Sequence, residues 1–392
     1  MINYGHRAHY MCPGAVYTRI RRMENMPDWI VGMDVSSLVE VEDCGGKFYD
    51  NGREDDALSI LKSHGANMVR LRLWNDPYDA EGNSYSAGYS DLETVLKLAK
   101  RAAGLGLDWL LDLHYSDCWA DPGKQTIPKA WQNMNVDELE TAVYEYTLNV
   151  LKECEKAGLK PQMIAIGNEL SNGLLWPYGK VPEYANIARL VSAGIRASRE
   201  FDAEIPVMIH LDNGGNNELY RRWFDNYFAN NGADFEYIGL SYYPFWHGTL
   251  DMLRDNMNDI ASRYGKKLIV AEVSMGFTLD DYKDYEKLPD ELRKGMATKK
   301  ELADKVPFPM TPEGQRDFMK AFLDVIHGIR DNMCEGYFYW EPAWLPVPGS
   351  EWATVAACEY MHEKGPGGNE WANQALFDYD GNALCAMDVI GW

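Results

Sequence analysis

The sequence predicts an α/β protein built as a single (β/α)8 TIM barrel, with long βα loops after strands 7 and 8. Eight short apolar runs alternate with longer helical patterns along the chain. The runs are almost continuously apolar, which is typical of parallel strands buried on both faces. The chain length of 392 residues is normal for one such barrel with insertions.

The candidate strands number eight, and this count favours a closed barrel. An open, doubly wound sheet is the main alternative. Such a sheet normally has fewer strands and a glycine-rich first turn, which we do not find in this sequence. The candidate strands are residues 29–37, 67–75, 107–115, 162–170, 206–214, 237–245, 267–275 and 335–344.

Helical patterns separate the strands, and the segment 136–157 is the clearest of them. Its apolar residues recur at spacings of three, four or seven, as on one face of a helix. Asn135 followed by Glu138 is a capping-box sequence, and Gly158 is a typical helix stop. A second helix is predicted over 311–332, because Thr-Pro-Glu at its start is a strong opening signal.

One folded domain is expected. The first strand-like run begins near Trp29, so residues 1–28 are predicted to be an N-terminal extension outside the barrel. Residues 29–392 are then predicted to form the barrel, with any functional site in this part of the chain. The segments 276–311 and 345–373 show no clear pattern and follow late strands. They are predicted to be loops on the face where barrel active sites form.

The charge of the chain excludes several classes of partner. A formal net charge of −22 would repel nucleic acid and anionic lipid surfaces. No run approaches the 18 apolar residues of a membrane span. The N-terminal stretch lacks the apolar core of a signal peptide, so the sequence predicts a cytoplasmic protein, which we expect to be a monomer.

The seven cysteines are scattered singly, without a CxxC pair. An odd number without such pairs argues against both a disulfide framework and a zinc site. We therefore expect reduced thiols and no metal-binding cluster of cysteines.

Two glutamates stand at matching strand ends. Glu169 follows the apolar run of strand 4, and Glu272 ends the apolar run of strand 7. A single glutamate at a strand end is more often a solvated charge or an ion-pair partner. Two at these positions face each other across a barrel mouth, where catalytic groups lie. Facing carboxyls of this kind are what glycoside hydrolysis requires.

Polar and aromatic residues at the other strand ends favour a sugar-binding site. Buried polar groups there would otherwise cost desolvation without benefit. The 13 Trp and 24 Tyr support this interpretation, because flat rings stack on sugar CH faces. Some tryptophans, such as Trp109 and Trp223, are expected in the core instead. The predicted substrate-binding residues are Asp34, Arg72, Asn75, His114, Asp117, Trp119, Asn168, His210, Asp212, Tyr242, Tyr243, Trp246, Trp340 and Trp344.

Several strings resemble glycoside hydrolase family 53, the arabinogalactan endo-β-1,4-galactanases. The resemblance covers the chain from about residue 30 to about residue 390, nearly the whole barrel. The two longest strings are long and specific. The strings are NDPYD (75–79), DLHYSDCWADPGKQ (112–125), GNE (167–169), SYYPFWHGTL (241–250), AEVS (271–274), YWEPAW (339–344) and NQALFD (373–378).

The resemblance implies a retaining hydrolase acting on galactan, arabinogalactan type I or derived galacto-oligosaccharides. Glu272 would attack the anomeric carbon, and Glu169 would serve as acid and then as base. Asn168 would bind the sugar 2-hydroxyl. Tyr242 would keep Glu272 ionised, and Trp340 would form the floor under the cleaved sugar.

The sequence departs from the family after strand 7, where some members carry a calcium loop. The corresponding region here is acidic but has no His or Asn. A solvated acidic loop is therefore expected, with no required cofactor and at most weak structural calcium near Asp280, Asp281 and Asp284. Val273 replaces a common Thr beside Glu272, which should leave the chemistry intact. Family members are often secreted, in contrast to the location predicted here.

Two alternative functions share part of this sequence pattern. A related barrel hydrolase acting on another β-1,4-glycan, such as mannan or xylan, would share both glutamates but not the SYYPFWHGTL string. A non-catalytic glycan-binding barrel would be expected to lack one catalytic carboxylate, and both are present.

Overall fold

The structure, a computed structural model, describes residues 29–282, 287, 299–364 and 368–392. The predicted N-terminal extension, residues 1–28, lies outside the described residues. Within the described residues, no helix combines the length and the apolar character that a membrane span requires.

The predicted barrel is confirmed. Eight parallel strands, numbered β1 to β8 in chain order, form a closed sheet in which β8 pairs with β1. Each strand also pairs with its neighbour in sequence, so one connection after another winds around the barrel. The strands are Ile30–Asp34, Met68–Leu73, Asp108–Leu113, Met163–Ile166, Val207–Leu211, Tyr237–Tyr242, Lys267–Val273 and Cys334–Trp340.

Helices lie between the strands and cover the outside of the barrel. The capping box predicted at Asn135 is present, with the side chain of Asn135 accepting from the Glu138 backbone N–H. The helix predicted to reach residue 332 ends earlier, at His327, and a short 3-10 turn follows at Arg330–Asn332. The helices α1 to α10 are Leu38–Asp43, Ala57–Ser63, Leu92–Gly104, Val136–Lys156, Tyr184–Phe201, Asn217–Ala229, Leu250–Tyr264, Lys300–Ala303, Pro312–His327 and Val355–Met361.

Apolar side chains fill the lower part of the barrel interior. Gly32 on β1 leaves room for the ring of Phe338 on β8, since a Cβ at Gly32 would come within 2.2 Å of that ring. Polar side chains occupy the next inward positions toward the C-terminal ends of the strands. The apolar layer therefore forms a floor beneath a polar mouth. The floor consists of Ile30, Met68, Leu110, Met163, Ala165, Met208, Tyr237, Ile269, Ala271 and Phe338.

Candidate active site

The carboxyls of Glu169 and Glu272 meet in a cleft at the C-terminal ends of the strands. One oxygen of each lies within 4.8 Å of the other, and a ring nitrogen of His210 lies within the same distance of both. Both glutamate side chains are at least nine-tenths buried. The structure thus brings together the two carboxyls that the sequence places on strands 4 and 7.

The end of β4 turns sharply to present Glu169. Gly167 has a φ of +77°, and a Cβ there would come within 2.7 Å of the Leu170 side chain. Glu169 itself has a φ of +47°, a left-handed conformation that costs free energy in a residue with a side chain. Such backbone strain is characteristic of functional sites. The Gly-Asn-Glu sequence therefore turns the strand so that the carboxyl points into the mouth.

The end of β7 uses a bulge to present Glu272. Leu240 on β6 pairs with Val270, but the next residue, Ser241, pairs with Glu272. Ala271 is thus an extra residue in the ladder. Ala271 belongs to the inner apolar floor, so regular alternation would turn Glu272 away from the interior. The bulge reverses this alternation and aims Glu272 inward, a known use of bulges near active sites.

Arg70 on β2 is the charged centre of the mouth, and sequence analysis missed it. Its guanidinium donates to Glu272 Oε1 at 2.8 Å and to Asp34 Oδ2 at 2.9 Å. It also donates to Asp112 Oδ2 at 2.8 Å and to Asn168 Oδ1 at 2.7 Å. Arg70 is 1% exposed, so these charges attract each other with little screening by water.

The tyrosine beside Glu272 is Tyr243, and the prediction for Tyr242 is wrong. The Tyr243 hydroxyl donates to Glu272 Oε2 at 2.6 Å. Tyr242 points to the outside of β6, where it stacks against Phe318 and Phe322 of α9 and donates to the Gly248 carbonyl. Successive strand residues face opposite sides of a sheet, so Tyr243 faces the cleft and Tyr242, one residue earlier, faces the helices outside the barrel.

The two carboxyls differ in what opposes their burial. Burial raises the pKa of Glu169 well above its usual range, and the nearby charges of Glu272 and Asp212 raise it further. Burial also raises the pKa of Glu272, but the Arg70 guanidinium and the Tyr243 hydroxyl lower it. Glu169 is therefore the carboxyl that holds a proton more firmly.

A chain of neutral groups lies behind Glu169. Ser241 Oγ lies 2.6 Å from Glu169 Oε1 and 2.8 Å from His210 Nε2. His210 Nδ1 lies 2.9 Å from Asn168 Oδ1. Both ring nitrogens of His210 are thus engaged by protein groups. This grouping is a hydrogen-bonded extension of the carboxyl pair.

Tryptophan rings form one side of the cleft. Trp119 stacks on Trp352 with ring centres 4.2 Å apart, and Arg72 lies 4.4 Å above the Trp119 ring. Trp340 meets Trp371 edge to face at 4.6 Å. Trp246 is 39% exposed at the rim. These rings give the cleft flat apolar surfaces beside its charged groups.

The structure separates the predicted substrate-binding residues into two groups. Most line the cleft, and His210 lies directly behind Asn168. Asn75, Asp117, Tyr242 and Trp344 do not line it. Asp117 accepts from backbone N–H groups of Asp76 and Lys129, and Trp344 is fully buried. The predicted residues that line the cleft are Asp34, Arg72, His114, Trp119, Asn168, Asp212, Tyr243, Trp246 and Trp340.

Sequence reasoning missed several lining residues besides Arg70. Asp121 and His247 lie inside strings already recognised as specific, so their strings could have suggested them. Trp352 and Trp371 lie within the segment 345–373 after β8, where no pattern predicts a position. The residues missed are Arg70, Ala120, Asp121, Pro122, His247, Trp352 and Trp371.

The acidic segment after β7 is described only in part. The Tyr379 hydroxyl donates a hydrogen bond to the backbone carbonyl of Asp280. Asp284 lies outside the described residues. Among the described residues, neither Asp280 nor Asp281 belongs to a group of three potential metal ligands. The weak calcium site predicted there stays a prediction.

A closed (β/α)8 barrel with two buried carboxyls facing each other across its mouth is the arrangement typical of a glycoside hydrolase. Comparison with known families gives the particular one. The family model described as Glycosyl hydrolase family 53 matches residues 30–390, and the chain belongs to that family.

Named relatives and a solved structure agree with this assignment. The chain is 35% identical to an endo-beta-1,4-galactanase of Bacillus subtilis, over 94% of this chain and 87% of the relative. It is 36% identical to an arabinogalactan endo-beta-1,4-galactanase of Humicola insolens, over 91% and 97%. The Ignisphaera aggregans GH53 catalytic domain superposes with a TM-score of 0.84 at 37% identity, covering 95% of this chain and 98% of that domain.

Proposed function

We propose that this protein hydrolyses β-1,4-galactosidic bonds within galactan, arabinogalactan type I or derived galacto-oligosaccharides, with retention of configuration. Membership of family 53 and the galactanase names of its relatives support the substrate. The observation that supports the mechanism is the close approach of the two carboxyls, one oxygen of each lying within 4.8 Å of the other. Inverting enzymes separate their carboxyls by about 6.5–9.5 Å, leaving room for a water, whereas retaining enzymes use about 5–5.5 Å.

In the first step Glu272 attacks the anomeric carbon, and Glu169 protonates the departing sugar oxygen. The bond to the leaving sugar breaks as an α-linked ester to Glu272 forms. Arg70 and Tyr243 support this role, because both donate to the Glu272 carboxylate and favour its charged form. The raised pKa of Glu169 supports its role as the proton donor.

In the second step Glu169, now a carboxylate, takes a proton from water as the water attacks the ester. The Glu272 carboxylate leaves, and the galactose end is released as the β anomer. The same carboxyl thus acts as acid and then as base. Glu169 can act in both steps because it lies in the same cleft as Glu272, beside the bond that forms in the first step and breaks in the second.

Asn168 is proposed to bind the sugar 2-hydroxyl. Its Oδ1 already accepts from Arg70, and one hydrogen of Nδ2 is donated to the Ala120 carbonyl. The second Nδ2 hydrogen is the one we expect to reach the sugar. Trp340 is proposed as the floor of the cleaved sugar, because its ring lines the cleft beside the carboxyls.

Product analysis tests the proposal. Purified protein is incubated with linear β-1,4-galactan, and with β-1,4-mannan and β-1,4-xylan as matched controls. We expect galacto-oligosaccharides from galactan alone, and proton NMR of the earliest products should show the β anomer. Release of products only from mannan or xylan would establish the alternative hydrolase, and an initial α anomer would refute retention. Binding of galactan without products would support the non-catalytic barrel.

Three further features are part of the proposal. The protein is proposed to act as a monomer, with both carboxyls of the cleft supplied by the same chain. No cofactor takes part in the steps above. A cytoplasmic location would suit imported galacto-oligosaccharides as the substrate.

A further inference from the structure

The orientation of the Asn168 amide is fixed by its neighbours. Its Oδ1 accepts from Arg70, whose guanidinium can only donate. Its Nδ2 donates to the backbone carbonyl of Ala120 at 2.8 Å, and that oxygen can only accept. Reversing the amide would place donor against donor and acceptor against acceptor. Oδ1 is therefore the atom that faces His210.

The tautomer of His210 follows from that orientation. Nδ1 faces the Asn168 oxygen at 2.9 Å, so Nδ1 must carry the hydrogen. Burial holds the pKa of His210 well below its usual range, and the charge of Arg70 lowers it further. The ring is therefore neutral, and a neutral ring has one N–H. Nε2 is left as an acceptor, and it faces Ser241.

The Ser241 hydroxyl has one hydrogen and two partners that can accept it. One is Nε2 of His210 at 2.8 Å, and the other is Oε1 of Glu169 at 2.6 Å. When Glu169 is protonated, it can donate to Ser241, and Ser241 can donate to His210. When Glu169 is ionised, Ser241 must turn to the carboxylate, and Nε2 loses its donor. His210 and Ser241 are both fully buried, so bulk water does not replace the lost donor.

We propose that His210 is a positioning residue that sets the proton affinity of Glu169 by competing with the Glu169 carboxylate for the Ser241 hydroxyl. The inference rests on the proposed role of Glu169 as acid and base. Ser241 keeps its own proton throughout and changes only the atom to which it donates. The proton given to the leaving sugar is that of Glu169. The Glu169 carboxyl is therefore hydrogen-bonded to the Ser241 hydroxyl in both forms that the reaction needs. When protonated it donates to Ser241, and when ionised it accepts from Ser241.

Other charges around Glu169 act in the same direction as this competition. Glu272 on β7, Asp212 at the end of β5 and Asp121 in the loop after β3 all favour its protonated form. A Ser241 hydroxyl that donated to the carboxylate would oppose them. His210 reduces this stabilisation of the ionised Glu169, because its Nε2 competes for the hydrogen of the Ser241 hydroxyl.

The charges around His210 come from three other elements. Arg70 on β2, His114 on β3 and His247 after β6 all disfavour a second proton on the ring, whereas Asp112 on β3 favours one. Arg70 lies between Asp112 and Asn168 and donates to both. The balance leaves the ring neutral, as the competition requires.

The test is the pH profile of kcat/KM on galacto-oligosaccharide, whose alkaline limb reports the acid of the free enzyme. His210→Phe removes the competitor but leaves Ser241 free to donate to the carboxylate. The limb should therefore move to lower pH, by roughly half a unit to one unit, the size of one hydrogen bond. In the Ser241→Ala background the same His210→Phe change should not move the limb, because the ring acts only through the hydroxyl.

The contrary results are distinct. A limb that stays in place, moves to higher pH, or moves equally in both backgrounds would overturn the inference. The limb should vanish in Glu169→Ala. If it persisted there, Glu169 would not be the acid, and the proposed function would fail rather than the role of His210.

A measurement on the unaltered protein covers the case in which His210→Phe does not fold. In protein labelled with ¹⁵N at histidine, the resonances of His210 are assigned by their displacement in Ser241→Ala. Near neutral pH we expect a protonated Nδ1 and an unprotonated Nε2. A proton on Nε2, alone or together with Nδ1, would contradict the inference.

Discussion

Glu169 and Glu272 face each other across one cleft, but their surroundings are opposite in kind. Glu272 is held by a cation and a phenol, Arg70 and Tyr243. Glu169 is hydrogen-bonded to a neutral hydroxyl, that of Ser241, and has the carboxyls of Asp212 and Asp121 near it as well as that of Glu272. Burial is similar at both sites, so burial alone does not separate them. The difference teaches that neighbouring groups decide which carboxyl stays charged and which keeps a proton.

The largest expected effect is on the charged side of this comparison. Glu272→Gln should lower turnover of galactan by a factor on the order of 10⁴ or more, because the nucleophile is lost. Binding of galacto-oligosaccharides, measured by calorimetry, should stay within about tenfold, since the tryptophan surfaces remain. A variant that kept several per cent of the original rate would remove Glu272 from this role.

A smaller effect should come from the phenol that supports Glu272. Tyr243→Phe removes one donor to a charged group, which should lower kcat/KM by roughly ten- to a hundredfold. The change also raises the pKa of Glu272, so the acid limb of the pH profile should move to higher pH. Tyr242→Phe is the matched control. It should leave the kinetics unchanged and cost about 1 kcal/mol of stability, and the reverse pattern would restore Tyr242 to the site.

A third carboxyl shows what burial does away from the cleft. Glu40 on α1 is buried with neutral donors, Ser86 and the Gly88 backbone, and burial raises its pKa from 4.5 to about 7. Between these two values the unfolded chain loses a proton that the folded chain keeps. Stability contributed by this group is therefore present at low pH and lost as pH rises through about 7.

Glu40→Gln tests that statement, because an amide resembles the protonated carboxyl. Relative to the unaltered protein, the variant should gain up to about 3 kcal/mol in free energy of unfolding between pH 5 and pH 8. Urea unfolding at both pH values measures the gain, and activity should be unaffected. A difference that did not change with pH would mean that Glu40 ionises normally in the fold.

The sequence predicted the fold and the carboxyl pair because both depend on local patterns. Apolar runs gave the strands, and the strand ends gave Glu169 and Glu272. The role beside Glu272 belongs to Tyr243 and not to Tyr242, because the side that a residue faces depends on the strand's register, which the sequence does not display. The bulge at Ala271 turns Glu272 to the inside of the barrel, and the sequence does not display this change of register either.

The positions of Arg70 and the loop tryptophans in the cleft are not predictable from the sequence, for different physical reasons. Arg70 lies within an apolar run, and its charge is tolerable only because carboxylates from three other strands surround it after folding. Trp352 and Trp371 reach the cleft from a long segment whose course depends on packing against distant residues, such as Trp119 and Trp340. Neither situation leaves a periodic signal.

The division of labour between the two carboxyls is tested most directly by the product that Glu169→Ala forms with azide. Turnover of galactan should fall by roughly a hundredfold or more. Cleavage of a dinitrophenyl β-galactobioside should begin with a burst, because its leaving group needs no proton while the ester lacks a base. Azide needs no base, so it should restore turnover and give the β-galactobiosyl azide by a second inversion. An α-azide would show that Glu169 is the nucleophile, and the absence of rescue, with equal damage on both substrates, would show that it is not the acid.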